Sequence, residues 1–299
     1  MVGSAIAEEA RSRQLEVIGK SSKELDFLDR KATFAELQQI KPTYLIIAAA
    51  KVGGIGANAR FPVDFLSINL RIQTNLLDAA NAAGISKVLF LGSSCIYPKF
   101  ASQPINEEYL LSGELESTNE PYAIAKIAGL KLVEAYRNQF SRKWISAMPT
   151  NLYGPKDNFD LENAHVLPAL IHRIHEAKIQ KIPSVIIWGD GSPLREFLHS
   201  KDLARACLLL LDKYDDLQPI NIGSGDEISI GNLAAKIASI IGYEGKLEFD
   251  HSKPNGTPRK LLNSRKLKDL GWTSQISLDE GIRSTYDWFL TNYINRGNV

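Results

Sequence analysis

Tyr122 and Lys126 are the first pair of residues in this sequence that could perform acid–base chemistry. On a helix, residues four positions apart share a face, so the lysine ammonium would lie beside the tyrosine phenol. A phenol ionises near pH ~10, and a neighbouring cation favours the phenolate, which makes the group a usable acid or base nearer neutral pH. The pair alone is weak evidence, because ten tyrosines at this lysine frequency predict about 0.7 such pairs by chance. Two solvent-exposed side chains on one helix would explain this spacing equally well.

Ser93, Ser94 and Cys95 form a second group, which follows the apolar run 88–91 and Gly92. The run predicts a buried strand, and ligands collect at the carboxyl ends of strands in α/β proteins. A serine hydroxyl there could donate a hydrogen bond to a substrate carbonyl while the tyrosine supplies a proton. Turn formation by the serines and burial of a small cysteine are the simpler interpretations of this group alone. The succession of a strand end, a tyrosine and a lysine favours a catalytic site.

The elements that would position these residues can be predicted from apolar periodicity. Short apolar runs predict strands at Leu15–Gly19, Tyr44–Ala48, Lys87–Leu91, Trp144–Met148, Ser184–Trp188 and Ile220–Ile222. Apolar residues three and four apart predict helices at Pro62–Ala83, Pro121–Asn138, Ala164–Ala177, Ile230–Ile241 and Leu278–Tyr293. This alternation predicts an α/β fold with a Rossmann-like, doubly wound parallel sheet. We expect a nucleotide-binding domain at residues 1–150 and a smaller α/β substrate-binding part at 151–299, partly interleaved with the first.

The first six residues, Met1–Ile6, read as the end of a glycine-rich turn and the start of its helix. In a dinucleotide-binding fold, a strand and further glycines precede this point, and the helix N-terminus meets the pyrophosphate. We therefore expect the first strand to be missing from this chain. That strand is central in the usual order, so its two neighbours would be exposed. A fold that simply starts with a helix is the alternative interpretation.

Composition narrows the classes of function. Of the 299 residues, 44% are hydrophobic and 23% are charged, which is typical of a folded globular protein. Thirty-five basic and 34 acidic side chains give a net charge of +1, which provides no overall field to attract nucleic acid or an anionic membrane. No apolar run reaches the ~18 residues of a membrane span. These features predict a soluble enzyme with neither a nucleic-acid nor a membrane partner.

The cysteines and histidines predict neither a disulfide framework nor a metal site. Cys95 and Cys207 are the only two cysteines, so a reducing cytoplasm is the expected location. His172 and His175 lie one helical turn apart on a polar stretch. We interpret them as a surface pair rather than metal ligands, because no third ligand is apparent.

Six longer motifs follow one another along nearly the whole chain. They are AAAKVGGIGAN (Ala48–Asn58), LFLGSSCIYPK (Leu89–Lys99), TNEPYAIAKIAG (Thr118–Gly129), MPTNLYGPKDNF (Met148–Phe159), WGDGSPLREFLH (Trp188–His199) and SKPNGTPRKLL (Ser252–Leu262). With these motifs the chain resembles the extended short-chain dehydrogenase/reductases, and among them the enzymes that make GDP-L-fucose. The resemblance implies NADP(H) as the cofactor. It also implies 3,5-epimerisation and 4-reduction of a GDP-sugar, GDP-4-keto-6-deoxymannose.

The resemblance further implies roles for individual residues. Tyr122 would be the general acid, Lys126 would hold the cofactor ribose and lower the tyrosine pKa, and Ser93 would bind the C4 keto oxygen. Cys95 and His165 would transfer protons at C3 and C5. The cofactor would be contacted by Gly3, Leu91, Gly92, Ser93, Ser94, Lys126, Pro149, Thr150, Asn151, Leu152 and His165, with Ser22, Lys23, Leu25 and Asp26 on its adenosine side. The GDP-sugar would be bound by Arg173, Trp188, Arg195 and Asn255.

The chemistry of the expected substrate agrees with these roles. C3 and C5 both flank the C4 ketone, so removal of either proton gives an enolate whose charge lies on the C4 oxygen. Hydrogen-bond donors aimed at that oxygen therefore serve epimerisation and reduction alike. Inversion needs one group to remove a proton and another to return it on the opposite face. A thiol and an imidazole, with ordinary pKa values of ~8.5 and ~6.5, can do so near neutral pH.

The sequence departs from the family pattern at three places. Only Gly3 remains of the glycine-rich turn, and Asn255 stands where the family has an aspartate, so one expected substrate contact loses its charge. Ser22 replaces one of the basic residues expected at the 2′-phosphate of the cofactor. Lys20 or Lys23 could take over that contact. The preference for NADPH over NADH therefore depends on the resemblance.

Two other functions remain open from the sequence. The first is another nucleotide-sugar epimerase, dehydratase or reductase of the same fold, although simple 4-epimerases do not need a pair like Cys95 and His165. The second is a non-catalytic nucleotide-binding relic, which the expected loss of the first strand suggests. The resemblance also implies a homodimer formed through the helices at 62–83 and 121–138. Ile124, Ile127 and Leu130 could provide its apolar surface.

Overall fold

The computed structural model describes residues 1–253 and 255–294. Its strands are β1 (Tyr44–Ile47), β2 (Lys87–Leu91), β3 (Ile145–Pro149), β4 (Asn151–Tyr153), β5 (Ser184–Trp188), β6 (Leu194–His199), β7 (Ile220–Ile222), β8 (Glu227–Ser229), β9 (Lys246–Asp250) and β10 (Arg259–Lys260). Its α-helices are α1 (Val2–Ser12), α2 (Arg30–Ile40), α3 (Ile55–Arg60), α4 (Pro62–Ala82), α5 (Glu120–Phe140), α6 (Val166–Ile179), α7 (Ser200–Lys213), α8 (Ile230–Ile241), α9 (Arg265–Asp269) and α10 (Leu278–Trp288). A π-helical segment, Phe289–Ile294, extends α10.

The main sheet is parallel, with the strand order β1-β2-β3-β7. Every residue of β2 is buried, and alternate side chains enter different cores on the two faces of the sheet. Leu89 and Leu91 pack in the cluster that contains residues of α1 and α7, whereas Val88 and Phe90 pack in the cluster formed with α2, α4 and α5. Helices therefore cover both faces of the sheet. The prediction of a doubly wound, Rossmann-like α/β fold is confirmed.

The outer edge of β1 has no hydrogen-bonded strand among residues 1–253 and 255–294. Tyr44, at the start of β1, is 54% exposed. The predicted strand Leu15–Gly19 is wrong, because this segment has no strand partner and is mostly exposed. Gln14 adopts a left-handed conformation (φ 61°), and the Leu15 N–H then donates to the carbonyl of Ala10 at 3.1 Å. The backbone thus ends α1 instead of entering the sheet.

The second half of the chain contributes to both parts of the molecule. The strands β4, β6, β8 and β10 form one small sheet, and β5 pairs with β9 in another. Side chains of β4, β5, β6, β8 and β9 pack with α6, α8 and α10 in a separate hydrophobic cluster. In contrast, β7 pairs with β3 in the main sheet, and α7 covers one of its faces. The second half of the chain therefore takes part in the main sheet as well as in the two small sheets.

His172 and His175 do not form the predicted surface pair. His175 is 7% exposed, packs edge-on against Phe289 and has Nδ1 2.9 Å from the hydroxyl of Tyr286. His172 Nδ1 lies 2.7 Å from the carbonyl oxygen of Phe159. Aromatic residues of the last helical turns enclose both rings, a contact that the polar local sequence does not reveal. The histidines therefore have a structural role, and no group of three or more metal-ligating side chains is found in the described parts of the chain.

Helices α4 and α5 pack against each other along their length. The expected dimer surface on α5 is only partly present. Leu130 is 1% exposed and Ile127 packs against the same internal cluster, so neither offers the predicted surface. Ile124 is 42% exposed, and Val63 on α4 is 73% exposed.

Replacing Gly129 on α5 with alanine is expected to lower the free energy of unfolding by about 1–3 kcal/mol. An added Cβ would lie 2.5 Å from Cζ of Phe90 and 2.6 Å from Oε1 of Gln73, so the helix would have to move away from the sheet and α4. Urea unfolding measures the change. Gly56→Ala on α3 is the control, because nothing lies within 4 Å of its Cβ position and helix propensity alone favours alanine. Equal stabilities for the two variants would contradict the close packing at Gly129.

Acid should destabilise the fold through His199. Burial lowers the pKa of this imidazole to about 4, and its neutral Nδ1 accepts a hydrogen bond from the Lys201 N–H at the start of α7. The unfolded chain therefore binds the proton first, and stability is lost as the pH falls from about 6.5 towards 4. Between pH 7.5 and pH 5, the free energy of unfolding in urea should fall by about 2 kcal/mol more in the wild type than in the His199→Asn variant. Asparagine keeps a cap acceptor and does not titrate, so identical losses would contradict this assignment.

Candidate active site

The carboxyl end of β2 supplies the first group of candidate residues. Glycine leaves room where the chain leaves the strand, because a Cβ at Gly92 would lie 2.4 Å from Sδ of Met148 on β3, whose side chain would have to move. The Ser93 hydroxyl then accepts a hydrogen bond from the backbone N–H of Cys95 at 3.2 Å. This bond starts the 3₁₀ turn Ser94–Ile96, which directs the chain away from the sheet. Ser93 and Cys95 are thus fixed next to each other at the edge where ligands collect.

Helix α5 brings the Tyr–Lys pair to the same place. Tyr122 lies in its first turn and Lys126 one turn later. The Tyr122 and Ser93 side chains are joined by a hydrogen bond, and the tyrosine ring packs edge-on against Phe65 on α4, with the ring centroids 6.4 Å apart. The strand end and the helix start are therefore adjacent in space, as the order of the motifs in the sequence suggested.

The ionisation of Tyr122 differs from the expectation. Burial, together with the charge of a Cys95 thiolate, raises the pKa of the phenol. The Lys126 ammonium does not offset this effect, because it donates to the carbonyl of Leu91 at 2.9 Å and lies 5.9 Å from the centroid of the tyrosine ring. Burial also lowers the pKa of Lys126 to about 8. In this structure the phenol is therefore held as a proton donor, and the expected lowering of its pKa is absent.

The thiol of Cys95 faces two donors that sequence reasoning did not single out. The side-chain amide of Asn119 donates to Sγ at 3.3 Å, and Nζ of Lys260 lies 3.8 Å from the same sulfur. These residues are separated from Cys95 by 24 and 165 positions, so local patterns cannot connect them. A thiolate at Cys95 would also attract the partly buried guanidinium of Arg195. The sulfur therefore lies in a region rich in hydrogen-bond donors and positive charge.

His165 is the N-cap residue of α6 and is exposed, while desolvation by the surrounding protein atoms lowers the pKa of its imidazole, which is therefore neutral at pH 7. The preceding residues contact the segment 53–60, since the Gly54 N–H donates to the carbonyl of Asn163 at 3.0 Å. A Cβ at Gly54 would lie 2.6 Å from the carbonyl oxygen of Ala164, so only glycine permits this approach. Helix α3, which begins in this segment, also packs against the 3₁₀ turn Ser117–Asn119. The surroundings of His165 and of Cys95 therefore border the same segment.

The residues expected to bind the GDP-sugar lie at the end of β5 and around it. The Trp188 ring is 51% exposed, with the guanidinium carbon of Arg173 5.9 Å and Nζ of Lys253 5.6 Å from its centroid. Asn255 instead uses its side-chain oxygen to accept the backbone N–H of Asp190 at 3.0 Å, which fixes the turn after Trp188. Arg195 is partly buried on β6, where one guanidinium nitrogen donates to the carbonyl of Leu194 at 2.8 Å.

The residues expected at the nicotinamide side fit a dinucleotide cofactor. An ammonium has three N–H donors. Lys126, which is 4% exposed, uses only one of them within the described chain, so two remain for hydroxyl groups such as those of a ribose. The side chains of Thr150 and Asn151 both bond to the carbonyl of Glu196. These two residues would therefore contact a cofactor mainly through their backbone.

Of the residues expected at the adenosine side, Ser22, Lys23 and Asp26 are exposed and Leu25 is half-buried. Asn75 anchors their segment by donating to the carbonyl of Phe27 at 2.8 Å. Lys20 is paired with Glu36 at 2.5 Å, whereas no ion pair within the described residues involves Lys23. Gly3 is exposed on the first turn of α1, and no atom lies within 4 Å of its Cβ position. A bulky ligand group can therefore approach this helix terminus, where backbone N–H groups favour an anion.

Comparison with known proteins gives a consistent result. Residues 1–223 match the family model described as the NAD dependent epimerase/dehydratase family. The chain is 54% identical to GDP-L-fucose synthase 1 of Arabidopsis thaliana over 297 residues, which is 99% of this chain and 92% of that protein. It is 50% identical to GDP-L-fucose synthase of Escherichia coli over 304 residues, covering 98% and 94%. The crystal structure of a GDP-L-fucose synthetase from Naegleria fowleri bound to NADP superposes with a TM-score of 0.90, at 31% identity and coverage of 98% and 92%. No helix in the described residues is both long and apolar enough to cross a membrane.

Proposed function

This chain belongs to the NAD dependent epimerase/dehydratase family, and we propose that it converts GDP-4-keto-6-deoxy-D-mannose into GDP-L-fucose with NADP(H) as cofactor. It is an NADP-dependent oxidoreductase that also epimerises its substrate at C3 and C5. The observation that carries this conclusion is the similarity to GDP-L-fucose synthases from a plant and a bacterium along almost the whole chain. The substrate belongs to the GDP-sugars, on which these relatives act.

Tyr122 and Ser93 would bind the C4 oxygen of the substrate. They are hydrogen-bonded to each other, so a carbonyl oxygen placed between them could accept a bond from each hydroxyl. Such donors stabilise the negative charge that develops on this oxygen when C3 or C5 loses a proton. Tyr122 would donate its proton to the same oxygen during reduction, and its raised pKa supports the role of proton donor. NADPH, when bound, supplies the hydride that reduces C4.

Cys95 and His165 would move the protons at C3 and C5. The thiolate of Cys95 can take a proton, and Asn119 and Lys260 direct hydrogen-bond donors at its sulfur. The neutral imidazole of His165 can likewise accept one at pH 7. Each group can return a proton once it has been protonated, so two groups on opposite faces of the sugar ring suffice for inversion.

Lys126 would bind the ribose next to the nicotinamide through its two unused donors. Its bond to the Leu91 carbonyl fixes the ammonium at the end of β2. On the adenosine side, Lys23 is the better candidate for the cofactor 2′-phosphate, because Lys20 is already paired with Glu36. Gly3 would border the pyrophosphate at the start of α1. Leu91–Ser94 and the segment 149–152 would line the nicotinamide.

The GDP part of the substrate would lie at the end of β5. The exposed indole of Trp188 can stack on a base or sugar, and Arg173 and Arg195 can bind the diphosphate. We assign Asn255 to the support of this site, since it holds the turn after Trp188 through Asp190. Residues 1–150 would then bind mainly the cofactor, and residues 151–299, of which 254 and 295–299 lie outside the described residues, would bind the substrate.

A homodimer through α4 and α5 and a cytoplasmic location complete the proposal. The exposed side chains of Ile124 and Val63 support an interface on these two helices. Light scattering at working concentration should give the mass of two chains, and the mass of one chain would contradict the dimer. Both cysteines are free thiols, which fits a reducing compartment.

The test of the activity is incubation of the purified protein with GDP-4-keto-6-deoxymannose and NADPH. We expect NADPH to be consumed and GDP-L-fucose to be formed, as identified by chromatography against authentic nucleotide sugars. A product that retains the configuration of the substrate at C3 and C5 would instead indicate a simple reductase of the same fold. A folded protein that neither binds NADPH in a fluorescence titration nor consumes it would contradict the activity and favour a non-catalytic relic.

A further inference from the structure

Asn119 is placed at the N-terminus of α5 but does not cap the helix. Asparagine at this position usually accepts a hydrogen bond from the second or third backbone N–H of the helix. Here Pro121 removes the donor of the second residue, and the Asn119 side chain makes no capping bond to the remaining one at Tyr122. A favourable local interaction is therefore replaced by a different contact.

That contact is to the sulfur of Cys95. The Asn119 amide nitrogen lies 3.3 Å from Sγ, while its oxygen is buried and has no hydrogen-bond partner within the described residues. Lys260 approaches the same sulfur with its ammonium nitrogen at 3.8 Å. The amide has thus turned its donor towards the sulfur and left its acceptor unsatisfied. This arrangement is favourable when the sulfur carries negative charge, because hydrogen bonds to charged acceptors are the stronger ones.

We propose that Asn119 is a positioning residue for epimerisation, which fixes the Cys95 sulfur by donating a hydrogen bond to it. The inference rests on the proposed function, because it concerns the proton-transfer step assigned to Cys95. An amide also offers an acceptor on the same group, so rotation of the side chain can meet an S–H donor after the thiolate has taken a proton. Asn119 can therefore serve both protonation states of Cys95 during one cycle.

The experiment measures deuterium exchange at C3 and C5 of GDP-4-keto-6-deoxymannose in D2O, with NADP⁺ in place of NADPH so that reduction does not occur. Asn119→Ser should slow the exchange by about tenfold, because it removes a hydrogen bond to a charged acceptor. Serine is itself a good N-cap residue, so a purely structural role at the helix start would leave the rate unchanged. Ser117→Ala, in the same turn and exposed, is the control and should exchange at the wild-type rate.

Two further measurements show whether Asn119 acts through the thiol. In a Cys95→Ser background, Asn119→Ser should cause no additional loss of exchange. Alkylation of Cys95 by iodoacetamide at pH 7 should also be about tenfold slower in Asn119→Ser than in the wild type. Cys207 does not interfere, because it is completely buried. Wild-type exchange and alkylation rates in Asn119→Ser, or an equal further loss in the Cys95→Ser background, would overturn the inference.

The two proposals can fail separately. If the wild-type protein binds NADP⁺ but catalyses no exchange, the proposed function fails. The alkylation rates still decide the role of Asn119 in that case, because they do not require turnover. If the wild type and the Asn119→Ser variant exchange deuterium equally fast, only the role of Asn119 is refuted.

Discussion

Replacing Tyr122 with phenylalanine is expected to reduce the rate of NADPH-dependent C4 reduction by about 10²–10⁴-fold. The variant loses the hydroxyl that bonds to Ser93 and would protonate the C4 oxygen, but it keeps the ring that packs against Phe65. The fold and the affinity for NADPH should therefore be preserved. NADPH absorbance in single-turnover reactions measures the loss, and Tyr44→Phe, at an exposed position on β1, serves as the control.

The pH dependence of the wild type provides a second test of this assignment. Because the pKa of Tyr122 is raised, the phenol stays protonated throughout the neutral and mildly alkaline range. A loss of reduction above pH 8 would then follow deprotonation of Lys126, whose pKa is about 8. A Tyr122→Phe protein that reduces the substrate at the wild-type rate would contradict the role of the phenol. Exchange at C3 and C5 should fall by a smaller factor, since Ser93 still binds the oxygen.

Cys95→Ser is expected to slow proton exchange at C3 and C5 by about 10²–10⁴-fold. A serine hydroxyl preserves the size and the hydrogen bonding of the thiol, but it does not ionise near neutral pH. The contacts from Asn119 and Lys260 cannot replace the missing base. Deuterium incorporation measured by NMR distinguishes the two carbons, and NADPH titration verifies that the cofactor site is intact.

Cys207→Ala is the matched control for this variant. Burial raises the pKa of Cys207 to about 12, so this thiol remains protonated and takes no part in proton transfer. Its replacement should lower stability slightly and leave exchange unaffected. Exchange that persists in Cys95→Ser at the wild-type rate would show that another residue removes the protons.

Much of the fold could be predicted because strands that are buried on both faces of a sheet appear in the sequence as short, continuous apolar runs. The strands Lys87–Leu91 and Ile220–Ile222 and the helix Ile230–Ile241 have the bounds expected from their apolar residues. Leu15–Gly19 shows the limit of this reasoning. Its composition suits a strand, but a strand also needs a hydrogen-bonded neighbour, and that depends on the rest of the structure. The same applies to His175, which is enclosed by aromatic residues more than 100 positions away.

The position of the candidate site could be predicted from the sequence where it depends only on the carboxyl ends of the strands. Ser93 and Tyr122 meet because a parallel sheet collects its loops at one edge. The contacts of Asn119 and Lys260 with Cys95 join distant segments, and no periodicity signals them. The raised pKa of Tyr122 was also missed, because it reflects the depth of the phenol and the direction in which Lys126 points. These are properties of three-dimensional packing.

The insertion of β7 beside β3 has a consequence for how this protein can be recombined with its relatives. The main sheet takes its last strand and the helix α7 on one face from residues beyond 199. A chimera joined at residue 150 would thus combine a sheet from one parent with a strand and a covering helix from the other. Such a crossover would disturb the interior of the main sheet, so an exchange of halves at this point is expected to destabilise the fold.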